Sequence, residues 1–237
     1  DNKVSWIVSN MDSEEKECLL YLPIGCKVES LFICHSQGSC IEQIHPFDHK
    51  IAVFGSSFTE GAGTSRSGMT WTAQLSRTTG FLFCNFGFSG NCRLQPYFAE
   101  LLAGMDVDAY VVDAFSNPSV SQIRDRLDPF IQTIRKRKPD VPLIFLKSVY
   151  REIRNFDTEK DISERGRESV ADSLMKIAVK KYSKVYWITT TNITDRKYRE
   201  TSVDGTHPSD YGYTLWMESV KRPILKLLSR NGIRSSN

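Results

Sequence analysis

The chain has 237 residues, of which 40% are hydrophobic and 25% charged, as in an ordinary globular domain. This length fits one medium α/β domain, or one domain with a small appendage. The net charge of +3, from 31 basic and 28 acidic residues, is too balanced to indicate nucleic acid or an anionic membrane as a partner. No apolar stretch approaches the ~18 residues that a transmembrane helix needs.

Residues 1–45 differ from the rest of the chain and are predicted to form a short β-rich segment. Glu17–Leu22 and Lys27–Ile33 are β-like runs separated by a Pro-Ile-Gly turn, which is typical of a hairpin. A lone hairpin buries little apolar surface, so we expect this segment to pack on the main domain or to be the remnant of a larger unit. The chain starts at Asp1 without a methionine, which is consistent with removal of a leader or of a longer N-terminal part.

The cysteine pattern argues against a structural zinc site, because no two cysteines are spaced as a Cys-x-x-Cys pair. Four cysteines near the N-terminus are able to form disulfides, but the sequence leaves their pairing open: Cys18, Cys26, Cys34 and Cys40. Cys84 falls in a predicted buried strand, where a thiol behaves as a small apolar side chain.

From Lys50 onward, strand-like and helix-like segments alternate. Five short apolar runs predict parallel strands covered on both faces, namely Ile51–Phe54, Phe81–Phe86, Ala109–Ala114, Pro142–Lys147 and Val185–Thr189. Helices are predicted at Met69–Thr78, Tyr97–Ala103, Ser121–Lys138, Asp161–Tyr182 and Ser209–Leu228. The fourth helix is expected to bury Val170, Leu174, Ile177 and Ala178. The alternation predicts that residues 46–237 form one three-layer α/β/α domain around a five-stranded parallel sheet.

Four polar clusters lie at the ends of these elements. Gly55–Gly63 follows the first strand, Gly87–Asn91 the second and Ser116–Ser119 the third, while Asp204–Ser209 precedes the last helix. Ligands of open parallel sheets bind beyond the carboxyl ends of the strands. We therefore expect the four clusters to converge on one edge of the sheet.

The side chains in these clusters predict a site for acyl transfer. Ser57 needs a base to become a nucleophile, and His207 is the one histidine after residue 49. Asp204 stands three residues before His207, where it is able to orient the imidazole and stabilise its cation. The backbone N–H groups of Ser57 and Gly90 and the side-chain amide of Asn117 are the expected oxyanion donors. This chemistry requires no metal or organic cofactor, so none is expected.

The clusters resemble the sequence blocks of the SGNH, or GDSL-type, hydrolase family, from about residue 50 to the C-terminus. The first block of that family reads Gly-Asp-Ser, with a glycine four residues after the serine. Here it is Gly55-Ser56-Ser57, with Gly61 in the later position. Because Ser56 replaces the aspartate, Ser56 remains an alternative nucleophile, although the alignment favours Ser57.

The other three blocks also have counterparts. Gly90 fits the oxyanion glycine of the second block, and the third block keeps Asn117 but lacks its usual glycine and aspartate. The last block, Asp-x-x-His, is present as Asp204 and His207. The resemblance implies a flavodoxin-like α/β/α hydrolase that cleaves carboxylic esters through an acyl-enzyme on Ser57.

One branch of the family is similar in further respects. It carries a β-sandwich before the hydrolase domain and a third block similar to Asp113–Pro118. Its sandwich ends in sequence motifs similar to Leu20–Pro23 and Val28–Leu31. This resemblance implies that residues 1–45 are the tail of an accessory unit. It also implies a bacterial exported esterase, periplasmic or secreted, that removes short acyl groups such as acetyl from carbohydrate. The sequence itself leaves a cytoplasmic location and the oligomeric state open.

Two other functions stay open at this point. The hydroxyl-rich loop Ser56–Gly63 is able to cradle a phosphate or flavin, but it lacks the Walker lysine and the G-x-G-x-x-G pattern. A non-catalytic carbohydrate-binding module would use aromatic side chains near the sheet edge, namely Phe58, Trp71, Phe88, Tyr97 and Tyr150. Asp204 also has a purely local alternative, since an aspartate often closes an Asx-turn with its own backbone.

Overall fold

Five parallel strands form the centre of the fold, in the order β2-β1-β3-β4-β5 across the sheet. The structure is a computed structural model that describes residues 4–45, 47–189 and 200–235. The strands are β1 (Lys50–Gly55), β2 (Leu82–Gly87), β3 (Ala109–Asp113), β4 (Leu143–Leu146) and β5 (Val185–Ile188). The helices are α1 (Ser57–Glu60), α2 (Trp71–Thr79), α3 (Pro96–Ala103), α4 (Val120–Arg137), α5 (Thr158–Lys181) and α6 (Asp210–Arg230). The predicted strands and long helices are confirmed to within a few residues at each end.

Helices cover both faces of the sheet, so alternate residues of each central strand enter two separate cores. In β1, Ile51 belongs to the core shared with α2 and α6, whereas Phe54 belongs to the core shared with α3, α4 and α5. In the first core, Trp71 packs against Trp216, with ring centroids 4.5 Å apart. The second core packs Phe54 against Phe98, at 5.0 Å. The three-layer prediction is therefore confirmed. No helix of the described ranges is long and apolar enough to span a membrane.

The edge position of β2 changes the environment of its cysteine. Cys84 is only half-buried, so the prediction that it lies in a fully covered strand is wrong. The reason is the sheet order, in which β1 is the one neighbour of β2 among the described strands. Partial burial still raises the pKa of the Cys84 thiol. All six cysteines carry free thiols in the structure.

The N-terminal segment forms no helix or strand between residues 4 and 45, so the predicted hairpin is wrong for this chain. Most of its large apolar side chains are exposed, as are Trp6 at 72% and Phe32 at 82%. A contact to the sheet domain is made by Tyr21, whose hydroxyl accepts a hydrogen bond from Arg77 at 2.7 Å. The boundary at residue 45 and the link to an accessory unit remain predictions.

The strand order determines which loops meet at the carboxyl edge. β1 lies between β2 and β3, and Gly55 at the end of β1 is in register with Gly87 on one side and Asp113 on the other. The loops after β1, β2 and β3 are therefore neighbours. This edge is the switch point of a doubly wound sheet, where ligands usually bind.

Candidate active site

Ser57 lies at the start of a short helix that follows β1 directly. Ser56 caps this helix, because its hydroxyl accepts a hydrogen bond from the N–H of Phe58 at 3.2 Å. Gly55 permits the tight turn, since a Cβ at this position would lie 2.0 Å from the hydroxyl oxygen of Thr59. The turn places Ser57 at the exit of the strand, in a largely buried position.

A second glycine brings α1 close to the neighbouring strand. A Cβ on Gly87, at the end of β2, would lie 2.0 Å from the backbone nitrogen of Glu60. Only glycine allows this approach between β2 and the helix. The helix that carries Ser57 is therefore held between its own strand and β2.

Three side chains form a continuous hydrogen-bonded chain across the sheet edge. Nε2 of His207 lies 3.1 Å from the hydroxyl oxygen of Ser57, and Nδ1 lies 2.7 Å from a carboxylate oxygen of Asp204. The imidazole also meets the Phe58 ring edge-on, with centroids 5.9 Å apart. A base within hydrogen-bond reach of a serine and oriented by a carboxylate is the arrangement needed to activate a nucleophile.

Asp204 makes both the local turn and the contact to the imidazole. Its Oδ1 accepts from the N–H groups of Thr206 at 2.8 Å and His207 at 2.7 Å, while Oδ2 faces the imidazole. Partial burial acts to raise the pKa of Asp204, but the hydrogen bonds from His207 and Thr206 outweigh it and lower the pKa to about 2. The carboxylate is thus ionised at neutral pH, as the stabilisation of an imidazolium requires.

The loop between β4 and α5 holds the Asp204–His207 loop in place, which the sequence did not predict. The carboxylate of Glu152 accepts from the N–H and the hydroxyl of Thr201, both at 3.0 Å, and from the hydroxyl of Ser202 at 2.7 Å. The N–H of Ile153 donates to the carbonyl of Gly205 at 2.7 Å. No motif marks residues 148–160, so the sequence carried no signal for these contacts.

The hydroxyls of Ser56 and Ser57 contact different partners. Ser56 is completely buried, and its hydroxyl donates to Oδ2 of Asp113 at 3.2 Å rather than to the imidazole. Thr59 donates to the same oxygen at 3.3 Å. The structure thus brings Ser57, not Ser56, to His207. A carboxylate beneath the loop also disfavours a phosphate cradle there.

The predicted oxyanion residues occupy the flanking loops. Gly90 stands in an exposed turn with φ of 69° and open space around the position of a Cβ. Asn117 follows β3, and its buried Oδ1 has no hydrogen-bond partner within the part of the chain that the structure describes. The loops that carry Gly90 and Asn117 follow β2 and β3, the two neighbours of β1. The roles of Ser57, Gly90 and Asn117 as oxyanion donors remain predictions.

Other ligand chemistries find less support at this edge. No group of three or more histidine, cysteine or acidic side chains that could hold a metal occurs within residues 4–45, 47–189 and 200–235. Phe58 and Trp71, two of the aromatic side chains considered for sugar stacking, are completely buried in the core. They are unavailable to a sugar ring, which weakens the interpretation as a non-catalytic carbohydrate-binding module.

Comparisons with known sequences and structures identify a protein family for this chain. A sequence model described as the GDSL-like lipase/acylhydrolase family matches residues 48–226. A comparison with curated protein sequences gave no match. Among solved structures, a protein described as a GDSL-like lipase from Bacteroides ovatus is 36% identical with a TM-score of 0.72, over 78% of this chain and 55% of that one.

Two more distant structures share the fold. A salicylyl-acyltransferase from a tetracycline biosynthetic pathway is 21% identical with a TM-score of 0.68, over 83% of this chain and 59% of its own. A family two carbohydrate esterase from Clostridium thermocellum, solved with cellohexaose, is 15% identical with a TM-score of 0.61, over 80% of this chain and 67% of its own. The chain thus spans less than two thirds of the lengths of the first two structures.

Proposed function

Because this chain belongs to the GDSL-like lipase/acylhydrolase family, we propose that it hydrolyses carboxylic esters with Ser57 as the nucleophile. The observation that carries the proposal is the contact of 3.1 Å between the Ser57 hydroxyl and Nε2 of His207, with Asp204 on the opposite ring nitrogen. The family match alone leaves the reacting residues open, whereas this contact supplies a base at the distance that proton transfer needs.

The proposed reaction proceeds in two steps. Oγ of Ser57 attacks the ester carbonyl while its proton passes to Nε2 of His207, and the collapse of the tetrahedral intermediate transfers that proton to the leaving alcohol. Water then gives its proton to His207 and attacks the acyl-enzyme, and the returned proton frees Ser57 with release of the acid. Asp204 stays ionised throughout and stabilises the imidazolium.

The negative oxygen of each intermediate is proposed to rest among three donors. These are the backbone N–H groups of Ser57 and Gly90 and the side-chain amide of Asn117, in the loops after β1, β2 and β3. Each such donor contributes about 3 kcal/mol in enzymes where it has been removed. The adjacency of these loops across the sheet supports the assignment.

Short acyl esters of carbohydrate, acetyl esters above all, are the proposed substrates. Support comes from the shared fold with a carbohydrate esterase that binds cellohexaose. An acyl-chain series of nitrophenyl esters, followed by acetylated oligosaccharides, tests this point. A preference for acyl chains of eight or more carbons, with no release of acetate from oligosaccharides, would contradict it.

The nucleophile is tested by turnover of p-nitrophenyl acetate and by labelling with a fluorophosphonate. Ser57→Ala should lower kcat by at least ~1,000-fold and abolish labelling, because no other hydroxyl within the described residues contacts the base. Ser56→Ala is the matched variant and should still be labelled, since the Ser56 hydroxyl donates to Asp113 rather than to His207. Turnover by Ser57→Ala at the wild-type rate would refute the proposed function.

A further inference from the structure

A buried carboxylate outside the three interacting side chains has an unusual environment. Asp113, at the end of β3, is 0% exposed, and its Oδ2 accepts hydrogen bonds from the hydroxyls of Ser56 and Thr59. Its Oδ1 has no hydrogen-bond partner among the residues that the structure describes. An ionised group with an unsatisfied oxygen in a protein interior costs free energy of folding. Stability therefore does not explain why a carboxylate stands here.

The two hydroxyls that bind Asp113 lie on either side of Ser57 in the chain. Ser56 is the N-cap of α1 and Thr59 lies within that helix, so both ends of the short element are tied to one carboxylate on the neighbouring strand. The helix is only four residues long and has little stability of its own. Its orientation depends on such outside contacts, and this orientation sets the direction of the Ser57 hydroxyl.

We propose that Asp113 is a positioning residue for Ser57, which fixes α1 through the hydroxyls of Ser56 and Thr59 so that the Ser57 hydroxyl meets His207. The inference rests on the proposed function and adds to it a residue that never touches substrate. The carboxylate is used because hydrogen bonds to an ionised acceptor are roughly twice as strong as those between neutral groups.

The charge on Asp113 is set by the groups around it. Burial raises its pKa from 3.8 to about 6, against the hydroxyls of Ser56 and Thr59 and the positive charge of Arg151. The thiol of Cys92 donates to the Asp113 carbonyl at 3.7 Å, and the phenol of Tyr213 also faces this group. Burial raises the pKa of both, and the charge of Asp113 raises them further. Asp113 is therefore ionised at pH 8, at a cost in stability that vanishes as the pH falls toward 4.

The test is Asp113→Asn, which keeps the shape and one acceptor but removes the charge. At pH 8 we expect kcat for p-nitrophenyl acetate to fall about tenfold with little change in KM, because α1 loses its strong acceptor. Tm of the variant should equal or exceed the wild-type Tm at pH 8, because the variant no longer buries a charge. Any gain should shrink toward pH 4, where Asp113 of the wild type is protonated in the folded protein and partly protonated in the unfolded protein. Asp106→Asn, at an exposed position, is the matched control and should change neither quantity.

A double-mutant cycle shows whether the effect passes through the hydroxyls. Ser56→Ala and Asp113→Asn should be non-additive, so that the double variant has about the kcat of the worse single variant rather than the product of both losses. A parallel cycle with Thr59→Val should behave in the same way, and it covers the case in which the Ser56 variant folds poorly.

The outcomes separate the inference from the proposed function. Three results would show that Asp113 does not position Ser57. The first is a wild-type kcat in Asp113→Asn, and the second is a lower Tm at pH 8 together with a lower kcat. The third is a double variant whose loss of kcat equals the product of the single losses, with both Ser56→Ala and Thr59→Val. In each of these cases an inactive Ser57→Ala leaves the esterase proposal standing. An active Ser57→Ala ends both.

Discussion

Asp204 uses both of its carboxylate oxygens in the loop before α6. One oxygen holds the backbone N–H groups of Thr206 and His207, and the other holds the imidazole. An asparagine at this position could keep the turn through its carbonyl oxygen, but its NH2 group would face Nδ1 of His207. The imidazole would then have to carry its proton on Nε2, where it can no longer accept one from Ser57.

We therefore predict that Asp204→Asn lowers kcat for nitrophenyl esters by about 100-fold to 10,000-fold while the protein stays folded. The pKa of about 2 for Asp204 means that the wild-type carboxylate stays ionised from pH 6 to 9, so the titration of Asp204 itself should not contribute to the pH dependence of wild-type kcat in that range. The measurement is kcat from pH 6 to 9, with Tm recorded alongside. Glu218→Gln, on the exposed face of α6, is the control. A variant that retains a third of wild-type kcat would show that Asp204 is only a turn residue.

The sequence predicts that Ser57, His207 and Asp204 meet, because each stands at a predictable element end, and the structure brings the three side chains into contact. The resemblance favours Ser57 over Ser56 but keeps Ser56 as an alternative, since the contact of each hydroxyl depends on where α1 begins and on a carboxylate from β3. The contacts of Asp113 could not be predicted from the sequence for the same reason. Its partners come from the loop of another strand, and only the strand order reveals that the two meet.

At the scale of elements, short apolar runs predicted all five strands, because a covered parallel sheet leaves few polar positions. The buried face of α5 was predicted less well. Ile177 is 60% exposed, whereas Ala171, Met175 and Glu164 are buried. The burial of Glu164 depends on ion pairs with Arg151 and Arg167, and periodicity of apolar residues cannot detect a buried position that is charged.

The contacts between the β4–α5 loop and the loop that carries Asp204 and His207 lead to a testable prediction. Glu152→Ala removes the acceptor of three hydrogen bonds from Thr201 and Ser202, so the Asp204–His207 loop should become less ordered. We expect kcat to fall about tenfold, and Tm to fall by about 3–6 °C from a loss of about 1–2 kcal/mol. Hydrogen exchange at the Thr201 amide should accelerate, and this rate directly measures how well the Asp204–His207 loop is ordered.

A matched control for this variant is Glu159→Ala, an exposed acidic residue in the first turn of α5. It should leave both kcat and exchange at Thr201 near wild type. Faster exchange at Thr201 with unchanged kcat in Glu152→Ala would mean that His207 is held without the help of the β4–α5 loop.

At the scale of the whole molecule, residues 4–45 and the sheet domain differ in how they bury apolar surface. The sheet domain has two cores with completely buried aromatic residues, whereas the N-terminal segment leaves Trp6, Phe32 and most other large apolar side chains exposed. Its described contacts to the domain lie around Tyr21, which meets Arg77, and Ile24, which lies near Gly61. The N-terminal segment thus contributes exposed apolar surface to the protein and makes few contacts with the sheet domain.

Deletion of residues 1–45 should therefore leave residues 46–237 folded and active. The contact between Tyr21 and Arg77 is a single surface hydrogen bond with a cation–π component, so its loss should lower Tm by no more than about 3 °C. Binding of a fluorescent apolar dye should decrease, because the most exposed apolar side chains are removed. Tyr21→Phe in the full chain isolates the hydrogen bond from the rest of the segment. If the shortened protein unfolds while Tyr21→Phe is stable, then the segment contributes to the domain through apolar contacts, and the boundary at residue 45 is wrong.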